Sequence, residues 1–190
     1  MKKYVLIVLL AMPFVAQASM ENYEIDPLHT FPNFKINHLG YSTLHGRFGK
    51  TTGKMTLDRD TMTGSVEITI DAASVDTGFS KRDDHLRSPD FLNAAEFPDI
   101  TFKAGNAKLG KNGTGDIAGT LTIMGVSKPV TLHVTHSHCA FNPMDPKKEK
   151  FGCGFDAKTS IKRSDFGIKF GLPAIGDDMM IELEVEAKRL

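Results

Sequence analysis

Apolar and polar residues alternate one by one along several segments of the chain, and this period of two constrains the fold more than any other feature. In the last segment, Ile181, Leu183 and Val185 alternate with glutamates. Such alternation is typical of antiparallel strands that bury one face, and Gly- and Asn-rich turns separate the segments at hairpin spacing. The segments are NFKINHL, GSVEITID, DIAGTLTIMG, PVTLHVTH, GFDAKTSIK and MMIELEVEAK.

Strands with one apolar face, arranged in series, pack either as a closed barrel or as a sandwich. Three glycines in one early segment, Gly46, Gly49 and Gly53, would allow the sharp bend that closing a small barrel requires. The pattern therefore predicts an all-β fold and leaves the barrel and the sandwich open.

Helix signals are confined to one insertion, around residues 78–93, between two strand segments. Asp76 and Thr77 are candidate N-caps, and Phe79 and Leu86 follow at helical spacing. We predict a short helix here that covers one end or one side of the β-structure.

The insertion contains the charged stretch KRDDHLRSPDF, in which a neighbouring aspartate could orient His85 for catalysis. The chain has no G-x-S-x-G nucleophile elbow and no H-E-x-x-H metal pair. Charges three or four positions apart, such as Asp83 with Arg87, are typical of an exposed helix. We expect Arg82 and Arg87 to contact rim carboxylates such as Asp165. Contact with a ligand head group and catalysis stay open as alternatives to this structural role.

Residues 1–18 have the pattern of a cleaved signal peptide: two lysines, an apolar run and then Ala16-Gln17-Ala18. The apolar run is shorter than the roughly 20 residues that span a bilayer. We therefore predict export to the periplasm and a single mature domain over residues 19–190.

The charge balance excludes one class of partner. Without Lys2 and Lys3, 21 basic residues face 23 acidic ones, and no basic block is present. This gives no electrostatic basis for binding nucleic acid. No later apolar run approaches membrane length, so we expect no stable membrane insertion. An exposed edge in an imperfectly closed barrel could pair two chains, which leaves a homodimer possible.

The two cysteines, Cys139 and Cys153, flank a turn that is centred near Pro146. In an exported protein two such cysteines pair more often than they stay reduced. The alternative is a metal site that combines Cys139 with the histidines of HVTHSHC, at positions 133, 136 and 138. Those side chains would lie on both faces of one strand, which is a poor tetrahedral arrangement. We predict a disulfide and no metal.

Four blocks of the sequence resemble the signature blocks of the YceI family, in the family's order and across residues 24–187. That family comprises lipocalin-like, polyisoprenoid-binding proteins that are often periplasmic. The resemblance implies an eight-stranded antiparallel β-barrel with one helical insertion and a long apolar pocket. It implies no catalytic residue and no cofactor. The blocks are HTFPNFKINHLGYSTLHGRF, SVDTGFSKRDDHLRSPDFLNAAEFPDITF, GTLTIMGVSKPVTL and RSDFGI.

The ligand that this resemblance implies is an isoprenoid or another long-chain, fatty-acid-like amphiphile. A pocket for it would combine apolar walls with a few polar groups. We expect polar contacts at the rim from Arg82, His85 and Arg87. The candidate wall residues are Phe34, Ile36, His38, Leu39, Phe102, Leu121, Phe166 and Ile168.

Three functions follow from these expectations. The first is a non-enzymatic periplasmic carrier of such a lipid, with a possible role in the stress response. The second is a hydrolase or isomerase that acts on such lipids through His85 or His38. The third is a ligand-free stress or interaction protein whose barrel is solidly packed.

Overall fold

The computed structural model describes residues 19–190, so the predicted signal peptide lies outside the described residues. Within this range the chain forms eleven strands and one α-helix. The elements are β1 (Glu21–Ile25), β2 (Phe31–His38), β3 (Ser42–Phe48), β4 (Thr51–Asp58), β5 (Thr63–Asp71), β6 (Val75–Asp76), α1 (Ser80–Arg87), β7 (Asp99–Lys108), β8 (Gly115–Ile123), β9 (Val126–Phe141), β10 (Phe151–Lys162) and β11 (Ile175–Arg189).

These elements close into an eight-stranded antiparallel barrel within residues 19–190. Three pairs of short strands act as single long strands: β1 with β2, β3 with β4, and β5 with β6. β11 pairs with β2 along its first part and with β1 at its end, and this last pairing closes the barrel. The predicted eight-stranded barrel is confirmed, and the sandwich alternative is wrong.

Because neighbouring strands of the barrel are antiparallel, every second connection lies at the same end of the barrel. This end, called the helix end below, carries α1, the β2–β3 turn, the β8–β9 turn and the segment 163–174 that joins β10 to β11. The helical insertion that we predicted around residues 78–93 therefore lies over one mouth of the barrel.

The opposite end, the base, is filled by side chains. Tyr23, Ile25, Met55 and Cys153 are buried there within one continuous apolar core. The ring of Phe151 closes the base between two guanidinium groups, with Arg59 at 4.7 Å and Arg189 at 4.5 Å from its centroid. Any space inside this barrel must therefore open toward the helix end.

Cys139 and Cys153 form a disulfide at this base, as predicted. They face each other directly across the β9–β10 pair. The metal alternative loses its thiolate because Cys139 is bonded to Cys153, and His133 Nδ1 lies 2.6 Å from Asp116 Oδ1 on the neighbouring strand.

Across residues 19–190, the structure contains no helix with the length and apolar character that crossing a bilayer requires. α1 has eight residues and is strongly polar.

Candidate functional site

An apolar cavity of about 420 Å³ occupies the half of the barrel nearest the helix end. Its volume is within the range of about 300–1,000 Å³ that is typical of small-molecule sites. Nine of the eleven strands, all except β1 and β4, contribute inward-facing side chains to its walls, because side chains alternate along each strand. The interior at this end is therefore not solid. Representative wall residues are Ile68, Ile100, Leu121, Leu132, Ile181 and Leu183.

Most of the predicted wall residues line this cavity, and their contact with a ligand stays a prediction. They are Phe34, Ile36, His38, Phe102, Leu121 and Ile168.

Two of the predicted wall residues lie elsewhere. Leu39 adopts a left-handed φ of 58° where the chain leaves β2, and its side chain is 47% exposed. Because His38 points inward, the residue that follows it points outward. Phe166 is buried in the apolar core, within the 3-10 turn Arg163–Phe166, and it does not line the cavity.

Helix α1 covers the cavity, and its attachment differs from our expectation. The buried carboxylate of Asp83 accepts hydrogen bonds from the backbone N–H and the hydroxyl of Thr77. Arg82 Nε donates to Thr77 Oγ1 at 2.7 Å, and Arg82 Nη2 donates to Thr77 O at 2.8 Å. Phe79, rather than Asp76 or Thr77, precedes the first helical residue, so the predicted N-cap is wrong.

The predicted partners of the two arginines are also wrong. Arg87 donates to Asp84 at 2.6 Å, rather than pairing with Asp83, and also to the carbonyl oxygens of Ala73 and Val75. Neither Arg82 nor Arg87 forms an ion pair with Asp165 among the described residues. Arg82 lines the cavity, whereas Arg87 does not. The helix is therefore fixed by Thr77 and by backbone carbonyl oxygens, whose positions the periodicity of the sequence does not reveal.

His85 lies at the cavity mouth with a carboxylate partner that the sequence analysis did not name. Its Nε2 lies 2.8 Å from Asp90 Oδ2. Its ring packs edge-on against Phe91 and Phe170, each with a centroid separation of 5.0 Å. Within residues 19–190, no serine or threonine hydroxyl is hydrogen-bonded to His85. In the described part of the chain, the site thus has an oriented imidazole to which no hydroxyl nucleophile is hydrogen-bonded.

Arg163 is the functional candidate that sequence reasoning missed. It belongs to the RSDFGI block, lines the cavity and is only 2% exposed. Its guanidinium donates to the carbonyl oxygens of Gly176 at 2.8 Å, Ile175 at 2.9 Å and Ile168 at 3.2 Å. Burial lowers the pKa of this guanidinium, although the nearby Asp177 opposes the effect. An arginine directly after a polar strand end gives no sequence signal of such burial.

One other cluster could hold a metal ion by geometry: Asp26, His29 and Glu186. Its buried carboxylate already has partners, because Asp26 Oδ2 lies 2.8 Å from His29 Nδ1 and 2.8 Å from Lys188 Nζ. Burial opposes the ionised form of Asp26, but its hydrogen bonds to Lys188 and His29 outweigh this and lower its pKa to about 2. The cluster is a network of ion pairs between the β1–β2 connection and β11.

The model of the YceI-like domain family matches residues 23–187, which is nearly all of the described chain. The chain belongs to the YceI-like family. Among curated relatives, the protein YceI of Escherichia coli (strain UMN026) is 41% identical over 169 residues, which cover 87% of this chain and 85% of the relative. The resemblance that the sequence blocks indicated is confirmed.

Solved structures agree with this YceI-like barrel. Burkholderia cenocepacia BcnA superposes with a TM-score of 0.72 at 26% identity, covering 85% of this chain and 98% of that one. A polyisoprenoid binding domain from Saccharophagus degradans, implicated in plant cell wall breakdown, superposes with a TM-score of 0.66. At 17% identity, covering 88% of this chain and 98% of the domain, it supports the fold alone.

Proposed function

We propose that this YceI-like protein is a carrier that binds an isoprenoid or another long-chain amphiphile inside the barrel. The observation that carries the proposal is the apolar cavity of about 420 Å³, closed at the base and lined by polar side chains toward the helix end. The Saccharophagus degradans neighbour, which shares the fold, is described as a polyisoprenoid binding domain, and the proposal extends that class of ligand to this chain.

Hydrophobic burial would supply the binding free energy. Each Å² of apolar surface removed from water contributes about 25 cal/mol, so an apolar tail along these walls would bind without any covalent chemistry. The polar groups at the helix end would fix which end of the ligand faces the solvent.

The proposal includes export and a stress-related role. The disulfide between Cys139 and Cys153 favours an oxidising compartment. Cell fractionation together with N-terminal sequencing tests export, and a mature chain that starts near Ser19 is the expected result. Growth of a strain that lacks the protein, under acid and osmotic stress, tests the physiological role.

Native mass spectrometry of protein purified from its own cells without detergent tests the carrier function. We expect a stoichiometric prenyl or acyl species that organic extraction releases and identifies. A bare protein mass, even after challenge with long-chain lipids, would contradict the proposal and favour a ligand-free interaction protein. The same spectrum reports whether the protein is a monomer or a homodimer.

A second candidate function is lipid hydrolysis or isomerisation, which the His85–Asp90 contact at the mouth favours. A histidine oriented by a carboxylate is the usual general base. Turnover of prenyl and acyl esters by the parent protein, lost in His85→Ala while binding is retained, would support this candidate. We expect no turnover, because no hydroxyl nucleophile is bonded to His85 in the described part of the chain.

A further inference from the structure

The ionisable side chains that line the cavity all belong to one class. Within residues 19–190 no aspartate or glutamate lines it, whereas five basic side chains do. The whole chain has equal numbers of acidic and basic residues, so the lining is enriched in basic side chains relative to the chain. These basic residues are His38, Lys81, Arg82, His85 and Arg163.

Three of these cations form no ion pair with any carboxylate of residues 19–190. The ion pairs formed within residues 19–190 include Arg87 with Asp84 and Lys162 with Asp178, but none involves Lys81, Arg82 or Arg163. Two acids lie in this region without forming an ion pair with these cations, although the charge of Asp177 partly offsets the effect of burial on the pKa of Arg163. Asp177 accepts hydrogen bonds from the backbone N–H and the hydroxyl of Ser164, and Asp90 contacts His85.

Arg163 is the most unusual of the three because it is almost fully buried. A buried cation is costly unless a counter-ion compensates its charge. Its three backbone acceptors satisfy hydrogen bonds without supplying a negative charge. They also use only three of the five N–H bonds that a guanidinium carries. The remaining donors belong to a group that lines the cavity.

The position of Arg163 suits the head group of a ligand rather than its tail. Its guanidinium carbon lies 6.0 Å from the centroid of Phe91, and the ring of His85 packs against the same phenylalanine. Arg163 is therefore at the helix end, where Lys81 and Arg82 also line the cavity from α1. The deeper walls are mainly apolar, with Ile68 and Leu132 among their residues and Thr159 as a polar, uncharged member.

We propose that the carrier selects anionic amphiphiles, with a carboxylate or phosphate head group bound at Arg163 and the apolar tail in the deeper cavity. This inference rests on the proposed carrier function and specifies its ligand class. Guanidinium groups bind carboxylates and phosphates through paired hydrogen bonds. Lys81 and Arg82 add a positive potential at the mouth, which steers anions toward it.

The test compares ligands that share one tail and differ in the head group. Hexadecanoate, hexadecan-1-ol and hexadecylamine are titrated into delipidated full-length mature protein, at about pH 8, where a free carboxylate is ionised. We expect hexadecanoate to bind at least about tenfold more tightly than the alcohol, since a hydrogen-bonded charge contributes roughly that factor. Farnesyl phosphate against farnesol is the parallel pair, and the larger ratio identifies the preferred anion.

Variants then assign the selectivity to residues. In Arg163→Gln we expect the acid-to-alcohol affinity ratio to fall to near one while the affinity for the alcohol is kept. If circular dichroism shows that this variant does not fold, the double variant Lys81→Gln/Arg82→Gln tests anion selection instead. We expect its acid-to-alcohol affinity ratio to fall several-fold. Lys54→Gln is the matched control, because Lys54 is 77% exposed, pairs with Glu67 on the outer wall and should leave the ratio unchanged.

The outcomes separate this inference from the proposed function. Equal affinity for the acid and the alcohol, or tighter binding of the amine, overturns anion selection and leaves the carrier function standing. An unchanged ratio in the folded Arg163→Gln variant overturns the role of Arg163. A protein that binds none of these ligands overturns both proposals.

Discussion

The ring of Phe34 lies against Gly46 on the neighbouring strand, in the space that a side chain at position 46 would occupy. Phe34 and Gly46 are paired directly between β2 and β3. The ring of Phe102 on β7 covers Gly119 on β8 in the same way, although Phe102 is paired with Leu121 in the strand register. In both pairs an aromatic ring covers a glycine on the barrel wall, so that the ring lies against the wall beside the cavity.

Gly46→Ala should therefore destabilise the barrel. The added methyl group would overlap the ring of Phe34 and force it inward, and overpacking of this kind costs about 1–3 kcal/mol. Urea unfolding measures the loss, and lipid titration should show weaker binding as well. Gly154→Ala is the control because nothing lies within 4 Å of a Cβ built there. Equal stability of the two variants would contradict this packing relationship.

Filling the cavity should weaken binding while the barrel survives. Ile181 lines the cavity, whereas the adjacent Met180 faces outward and is 47% exposed. We expect Ile181→Trp to weaken hexadecanoate binding by about tenfold or more, at a cost of about 1–3 kcal/mol in stability. Met180→Trp, one position along the same strand, should bind as the parent does. Normal binding by a folded Ile181→Trp protein would place the ligand outside the barrel.

Removing the disulfide should reduce stability without affecting binding. The bond closes a loop between residues separated by 14 positions, so Cys139→Ser/Cys153→Ser should lose about 3 kcal/mol of unfolding free energy. Neither cysteine lines the cavity, and ligand affinity should be unchanged. Urea unfolding of the parent with and without dithiothreitol provides the independent comparison. A parent insensitive to reductant, with an intact mass showing two free thiols, would contradict the disulfide.

Glu21 at the base should make stability dependent on acid pH. Hydrogen bonds from Arg59, followed by one from Tyr23, lower the pKa of Glu21 to about 2 from an ordinary value of 4.5. A carboxyl group whose folded pKa is lowered stabilises the protein above its unfolded pKa, and this contribution is lost as the pH falls through the folded pKa. We therefore expect the stability difference between the parent and Glu21→Gln to shrink between about pH 5 and pH 2.

Unfolding midpoints in urea across that range measure this effect. Glu24→Gln is the control at neutral pH, since Glu24 is exposed and forms no ion pair within residues 19–190, and it should change stability by less than about 0.5 kcal/mol. A constant difference between the parent and Glu21→Gln across the acid range would show that the ion pair with Arg59 is not formed in solution.

Much of the architecture was predictable because strand periodicity is a local property. Alternation placed Phe34 and Ile36 on one face, and both are buried and line the cavity. Leu39 shows the limit of such reasoning. It directly follows the last residue of β2, where the backbone turns to a positive φ and exposes the side chain. Sequence patterns indicate where strands end less reliably than where they run.

The amino-acid sequence by itself determined the all-β class, the position of the helical insertion and the opposing cysteines, because each follows from neighbours a few positions apart. Only the tertiary structure decided that the base is packed while the helix end holds a cavity. That difference depends on the summed volumes of side chains from all strands around the barrel. It also decided the burial of Arg163, since its three carbonyl acceptors belong to the connection and the strand that follow it.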